Sequence, residues 1–490
     1  MKVIRVLKSQ TFFFTLECDC VTVFWIFFRE EMNTGKRREH FGSQIGFMLA
    51  AIGSAIGLGL LWKFPYVIGQ NGGGLFLITY FLCIFFAGVP LLIGEVILGR
   101  YSQSAAIGAF SKGISGHSKL VIGGYLGVLS SFLIMSYYSV IAGWGLSYIL
   151  TSLSGFYSGK SLEEVARIFN SLSKSASITV LWHGVFTLMT MAIVLGGVKK
   201  GIEYWSKILV KILFVLLVAL FLFSTTLPGF SKALDFVFVP KAGSFTVLSI
   251  LEALGLAFMT LSVGQGIMIS YGSYVKEGSN IVKMSLIVAT SVVFVAILAS
   301  LTIFPVVFTF GMEPDSGPGL VFKTLPVLFA KLPGSMVLST VFFSLFVFTA
   351  LTSAVPLVEV VATNIMEKCH WSRAKSTVAV SAATFTFGIP SALSLTDQMF
   401  PQWSQIFGHN FLDTINQIAC IWCIPLAGLF TALFIAYRIK KMVLKREFCE
   451  GGNPLWSFYL WYFGVSIVVP VVILLIIFQT SGLINFAVYF

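Results

Sequence analysis

The stretch SQIGFMLAAIGSAIGLGLLWKFPYVIGQ, residues 43–70, decides the fold. About 20 apolar residues at 1.5 Å rise cross roughly 30 Å of hydrocarbon, so this stretch can span a bilayer. Its middle is unsuited to an unbroken helix. Gly53, Gly57 and Gly59 fall together at mid-membrane depth, and each glycine weakens a helix interior by about 1 kcal/mol relative to alanine. A helix broken there exposes N–H and C=O groups that lipid cannot satisfy, which is tolerated only where the gap faces protein or a bound ligand. Residues 53–60 are therefore a candidate binding site.

Composition agrees with a membrane chain. Of 490 residues, 57% are hydrophobic and 11% charged, with 49 phenylalanines, and the mean hydropathy is +0.93. These values exclude an ordinary soluble domain. In a soluble protein the net charge of +12 would suggest nucleic acid. Here the basic residues cluster in short loops between apolar runs, the positive-inside pattern, and no nucleic-acid partner is expected. The seven cysteines form no disulfide framework; Cys420 and Cys423 sit inside an apolar run and read as packing residues. No nucleophile, paired catalytic carboxylates or clustered metal ligands stand out, so the chain is not expected to be an enzyme.

Eleven apolar segments succeed one another, at 43–70, 74–99, 119–150, 177–196, 203–227, 248–275, 280–311, 336–367, 376–396, 409–437 and 455–480. Lys and Arg gather in alternate loops, which puts the N-terminus in the cytoplasm and the C-terminus outside. The expected organisation is an N-terminal extension (1–31), a cytoplasmic arm (32–42), two five-helix repeats (43–227 and 248–437) and an eleventh helix (455–480). Glu17 and Asp19 interrupt the apolar run of the extension, and a charge at the centre of a span is costly. Met32 is therefore the expected natural start. The sixth segment repeats the anomaly of the first, with Ser262, Gly264 and Gly266 at its midpoint. Small residues can serve close helix packing alone, but breaks at matching places in two halves point to an inverted-repeat transporter with its site at the membrane midplane. The fold class is thus an all-α membrane protein of about eleven helices, a 5+5 inverted repeat with helices 1 and 6 unwound.

GSAIGLG followed by KFP, NGGGLFLITYF, GVPLLIGEVILGRYS, SYYSVIAGW, FMTLSVGQG, SYGSYV and FTALTSAVPLVE stand in this order along the chain. The series resembles the neurotransmitter:sodium symporter family, above all its bacterial amino-acid transporters with the leucine-transporter-like fold. The resemblance implies a sodium-coupled secondary active symporter in a bacterial inner (plasma) membrane, a monomer or weak dimer. Its expected cargo is a neutral, hydrophobic or aromatic α-amino acid. An ion channel or a non-transporting amino-acid sensor on the same scaffold is the alternative.

By resemblance, the substrate carboxylate meets the N–H groups near Gly57 and Gly59 and the hydroxyl of Tyr138, which suits a half-helix N-terminus. The ammonium takes carbonyls near Ala55, Met259 and Thr260 and the hydroxyl of Ser262. The side chain is lined by Ile134, Met259, Gln265, Ala354 and Leu357. Monoamine carriers of the family place an aspartate where this chain has Gly57, so the substrate brings its own carboxylate. One sodium site is implied by the carbonyls of Gly53, Ile56 and Thr349 with the hydroxyls of Thr352 and Ser353. The other normally uses two asparagine-type side chains, matched here by Leu60 and, to about one residue, Ser291; only Thr260 and the Ala55 carbonyl survive. We expect one coupled sodium, with two as the alternative, and no chloride, since Leu256 and Val295 stand where polar or acidic groups are usual. The outer gate of relatives, an Arg with an Asp, becomes Lys63 with Asn416 and Asp413. The inner gate is matched by Arg38 and Glu367, with Phe41 and Tyr274 beneath.

Overall fold

The computed structural model describes residues 38–111, 119–155, 162–311, 319–396 and 402–481. The chain divides into two compact units, Met1–Arg38 and Glu39–Phe490, and the architecture that follows is that of the second. The expected extension 1–31 and the stretch 32–37 lie outside the described residues.

Among the described residues nine helices are long and apolar enough to cross a membrane. Spans two to five are Gly74–Ser102, Lys119–Leu153, Ala176–Leu195 and Gly197–Ser224; spans seven to eleven are Ile281–Thr309, Ser335–Cys369, Arg373–Leu393, Trp403–Arg438 and Leu455–Thr480. The first and sixth spans are missing from this set because each is two shorter helices: Gln44–Ala55 and Leu58–Gln70, then Val247–Thr260 and Ile267–Gly272. Together they make the eleven spans read from the hydropathy. Short helices lie in the longer connections, at Leu162–Lys174, Phe230–Phe238 and Leu325–Ala330.

Local chemistry explains where the broken spans begin. Ser43 caps the first, its Oγ accepting from the Gly46 N–H at 3.0 Å. Thr246 and Ser249 form a capping box at the start of the sixth, which satisfies two N–H groups that lipid could not. Asn71, at the far end of the first span, binds Ser249 Oγ at 2.7 Å and Glu252 at 2.9 Å. One amide thereby ties the end of the first broken helix to the beginning of the second. Span five starts earlier than its apolar run, at Gly197, with a π-helical segment Gly197–Glu203. Lys199 and Lys200 made this segment look like loop; Glu39 Oε2 stabilises it by accepting the Val198 N–H at 2.6 Å.

The first half of the first span packs on spans five, seven and eight, whereas both halves of the sixth pack on span two. Each break is thus enclosed by unbroken helices. That enclosure is the condition under which irregular backbone survives at membrane depth.

Candidate functional site

The first break falls at Ile56 and Gly57. Ile56 leaves the helix at φ −80°, ψ 78° and Gly57 is extended at φ −96°, ψ 179°. Gly53 and Gly59, expected to share in the break, sit inside the flanking helices instead. Their role is close approach. A Cβ on Gly53 would come within 2.9 Å of Val210 and 3.0 Å of Thr352, and one on Gly59 within 2.9 Å of Met259.

The second break runs from Leu261 to Gly266. Ser262, Gly264 and Gly266 have φ of +53°, +75° and +72°, a left-handed backbone open to glycine and costly for serine. Two contacts hold it. Ser262 Oγ donates to the Ser54 carbonyl at 3.0 Å, with Ser54 Oγ at 3.0 Å from Ser262 Oγ, so the two breaks are bonded to each other. The Gly264 N–H donates to Glu95 Oε1 at 2.8 Å. Glu95 is fully buried and was missed by sequence reasoning, although an acidic residue inside GVPLLIGEVILGR was a signal: an ionisable group within a span marks function by default.

A small cavity of about 70 Å³ lies between the breaks. Ala55, Gly57, Gly59, Ile134, Tyr138, Met259, Thr260, Ser262, Gln265 and Leu357 all line it, as expected. Ala354 does not; it is buried in the core. On span eight Ser353 and Leu357 are four residues apart and share the cavity face, which turns Ala354 about 100° away. Tyr137, Ile267 and Cys420 join the lining unforeseen. Cys420 belongs to a π-helical segment, Ile418–Cys423, that no reading of helical period would place.

Polar groups gather at one end of the cavity. Tyr138 Oη accepts the Leu58 N–H at 3.3 Å, where the second half-helix begins. Ser353 Oγ reaches across from span eight to the carbonyls of Gly53, Ser54 and Ile56 at 3.3, 3.1 and 3.4 Å. Thr352 Oγ1 bonds the Thr349 carbonyl at 2.9 Å. The Gly53, Ser54 and Ile56 carbonyls thus converge on the Ser353 hydroxyl, while the Thr352 hydroxyl is bonded back to the Thr349 carbonyl of its own helix. These neutral oxygens fit a hard monovalent cation without burying a net negative charge.

The residues matched to the other ion site do not converge. Leu60 is fully buried and offers no ligand. The Thr260 hydroxyl is held by the Leu256 carbonyl and Tyr80 Oη, both at 2.8 Å, and the Ala55 carbonyl accepts the Gly57 N–H at 3.0 Å. Ser291 is corrected outright: it lines a separate groove with Leu286, Ile287 and Thr290. On span seven the side chain next to it, Val292, is the buried one, so a one-residue difference in register turned Ser291 outward.

The outer gate residues have other partners. Lys63 is exposed and among the described residues pairs with neither expected partner. Asn416 accepts from Tyr137 Oη at 2.8 Å, and Asp413 is held by Asn410, whose Nδ2 donates to it at 2.8 Å. At the other end Glu367 accepts the Ala105 N–H at 2.8 Å; Arg38 belongs to the first unit. Tyr274 is in place, but its hydroxyl donates to Glu359 at 2.6 Å. Arg373 binds the other oxygen of Glu359 at 2.8 Å and approaches Glu39 at 3.3 Å. Phe41 closes over this cluster, its N–H on the Tyr274 carbonyl at 3.0 Å and its ring edge-on to Tyr274.

A family model described as the sodium:neurotransmitter symporter family matches residues 38–160 and 155–489. An uncharacterized sodium-dependent transporter of Bacillus subtilis, YhdH, is 38% identical over 91% of this chain and 98% of its own. An uncharacterized sodium-dependent transporter of Haemophilus influenzae is 31% identical over the same shares. Among solved structures, MhsT in complex with L-phenylalanine superposes with a TM-score of 0.81 at 37% identity, covering 90% of this chain and 99% of that one. The broken first and sixth spans, the oxygens gathered between them and these matches lead to one conclusion: this multi-pass membrane protein belongs to the sodium:neurotransmitter symporter family and is a sodium-dependent transporter, not an enzyme.

Proposed function

We propose that the protein imports a neutral α-amino acid by symport with a single sodium ion, alternately opening its central cavity to the two sides of a bacterial inner membrane. One observation carries the reading: the Leu58 N–H and Tyr138 hydroxyl adjoin the Ser353 oxygen cluster across Gly57, where no side chain intervenes. A substrate carboxylate on the first two groups lies beside a cation in the cluster. Each makes the other easier to bind, which is the physical basis of coupling. A relative of 37% identity binds L-phenylalanine, and the cavity wall of Ile134, Met259, Ile267 and Leu357 suits a similar side chain. The basic loops favour an N-terminus in the cytoplasm and a C-terminus outside, and lipid and solute are the partners this reading calls for.

Saturable uptake of labelled amino acid into proteoliposomes, driven by an inward sodium gradient and lost without it, tests the proposal. Conductance without solute uptake would favour a channel, and binding with neither would favour a sensor. A single sodium predicts a Hill coefficient of about 1 for sodium; a value of about 2 would refute the one-ion reading. The difference is large, because each coupled charge contributes about 2.3 kcal/mol per 100 mV, roughly 50-fold in accumulation.

Gln265 sharpens the substrate class. It is 5% exposed and faces the cavity, and among the described residues its carboxamide makes no hydrogen bond. An unpaired amide open to the cavity favours a ligand that pairs it, such as a phenol or indole. Gln265→Met should lower uptake of tyrosine or tryptophan relative to phenylalanine by about tenfold, the cost of one hydrogen bond to a buried partner. An unchanged ratio in competition uptake would remove Gln265 from selectivity.

A further inference from the structure

A groove of about 520 Å³ runs along the outer face of span seven beside the turn between spans ten and eleven. Its mouth is polar: Lys283 lies next to Asn280 and Asn453, where span seven begins. Its wall is mostly apolar, formed by Val282, Leu286 and Ile287 with Thr290 and Ser291 at the far end, and Leu286 and Ile287 are exposed. From Lys283 to Ser291 the helix rises about 12 Å, close to the depth of one leaflet, half of roughly 30 Å. A cation at the boundary above an apolar slot of leaflet depth has the dimensions of one phospholipid.

The mouth is built, and its charge is uncompensated. Asn280 Nδ2 donates to the Gly451 carbonyl at 2.9 Å, and Asn453 Nδ2 donates to the Phe448 carbonyl at 2.7 Å and Asn280 Oδ1 at 3.2 Å. The turn is therefore fixed against the start of span seven. Its two carboxylates are already engaged by Arg100, through Glu447 and Glu450, each at 2.7 Å. Glu277 lines a different cleft, with Phe41 and Lys276. Among the described residues Lys283 has no acidic partner, and the connection that forms the turn carries Arg438, Lys440, Lys441, Lys445 and Arg446. Clustered basic residues at a membrane boundary attract anionic headgroups.

We propose that this groove is a binding site for one anionic phospholipid, its phosphate beside Lys283 and an acyl chain along Leu286 and Ile287. The site is independent of the central cavity and shares no lining residue with it.

The test is native mass spectrometry of the full chain released from bilayers of mixed phosphatidylglycerol and phosphatidylcholine. Wild type should retain one phosphatidylglycerol in preference to phosphatidylcholine. Lys283→Gln should reduce that preference about fivefold, the contribution of one lysine near an anionic surface, whereas Lys232→Gln should not change it. Ile287→Trp, which fills the slot, should lower retention of both lipids. No preference in wild type, or the same preference after Lys283→Gln, would overturn the proposal. A lipid-free dimer dissociated by Ile287→Trp would also overturn it and assign the groove to a second copy of the chain.

Discussion

Replacing Gly57 with aspartate should abolish amino-acid uptake and leave the protein folded. The backbone at Gly57 is extended, at φ −96° and ψ 179°, so any residue can adopt it. What an added side chain meets is the site itself: a Cβ would stand 3.3 Å from Ser353 Oγ and 3.7 Å from Tyr138 Oη. A carboxylate grown from that point enters the space proposed for the substrate carboxylate. Two like charges 4 Å apart at a partly screened site repel by about 4 kcal/mol, roughly a thousandfold in affinity. Radiolabelled uptake should fall to background while a thermal melt with sodium persists, because the aspartate adjoins the oxygen cluster and adds attraction for a cation. The decarboxylated amine of the substrate should then stabilise the variant more than the amino acid does. Amino-acid uptake retained in Gly57→Asp would place the carboxylate elsewhere and remove the main support for an α-amino acid substrate.

The break at Gly57 was legible because its cause is local: glycine weakens a helix interior, and the first helix ends there. Gly53 and Gly59 were misread for a related reason. Sequence marks a glycine but not what it makes room for, and here the room is for Val210, Thr352 and Met259 from helices distant in the chain. The second break was placed correctly because Ser262, Gly264 and Gly266 alternate as a left-handed backbone requires. Ser291 failed through register, since one residue on a helix turns a side chain by about 100° and nothing in an apolar span fixes its rotation. Cys420 was out of reach because π-helical turns break the period on which facing is judged. The Glu359–Arg373 pair was missed for a topological reason. Arg373 stands among basic residues that look like loop, but His370, left-handed at φ +54°, ends span eight abruptly. Span nine then begins at Arg373 and returns it to Glu359.

That return carries the second large effect, a loss of stability when the pair is split. Glu359 is 0% exposed and Arg373 5%, so each charge depends on the other. Arg373→Met should destabilise the protein by about 3–5 kcal/mol, because it leaves a carboxylate buried without its counter-charge. Glu359→Leu should do the same to the guanidinium, although Glu39, 3.3 Å from Nε, softens the loss. The double variant should recover most of the stability, since a buried ion pair replaced whole by apolar groups is often neutral. Melting curves of the purified transporter distinguish these outcomes, and single variants as stable as wild type would show that the pair is hydrated and weak. Function should not recover with stability. In the double variant Tyr274 loses its acceptor at 2.6 Å and Glu39 loses its cation, so Phe41 and the first span are no longer tied to spans eight and nine. A cysteine placed at Ser270, fully buried between these elements, should then react with a membrane-permeant thiol reagent faster than in wild type. Stability restored with closure still lost would separate the two roles of the cluster: the charges compensate each other, and the hydrogen bonds around them hold this end of the cavity shut.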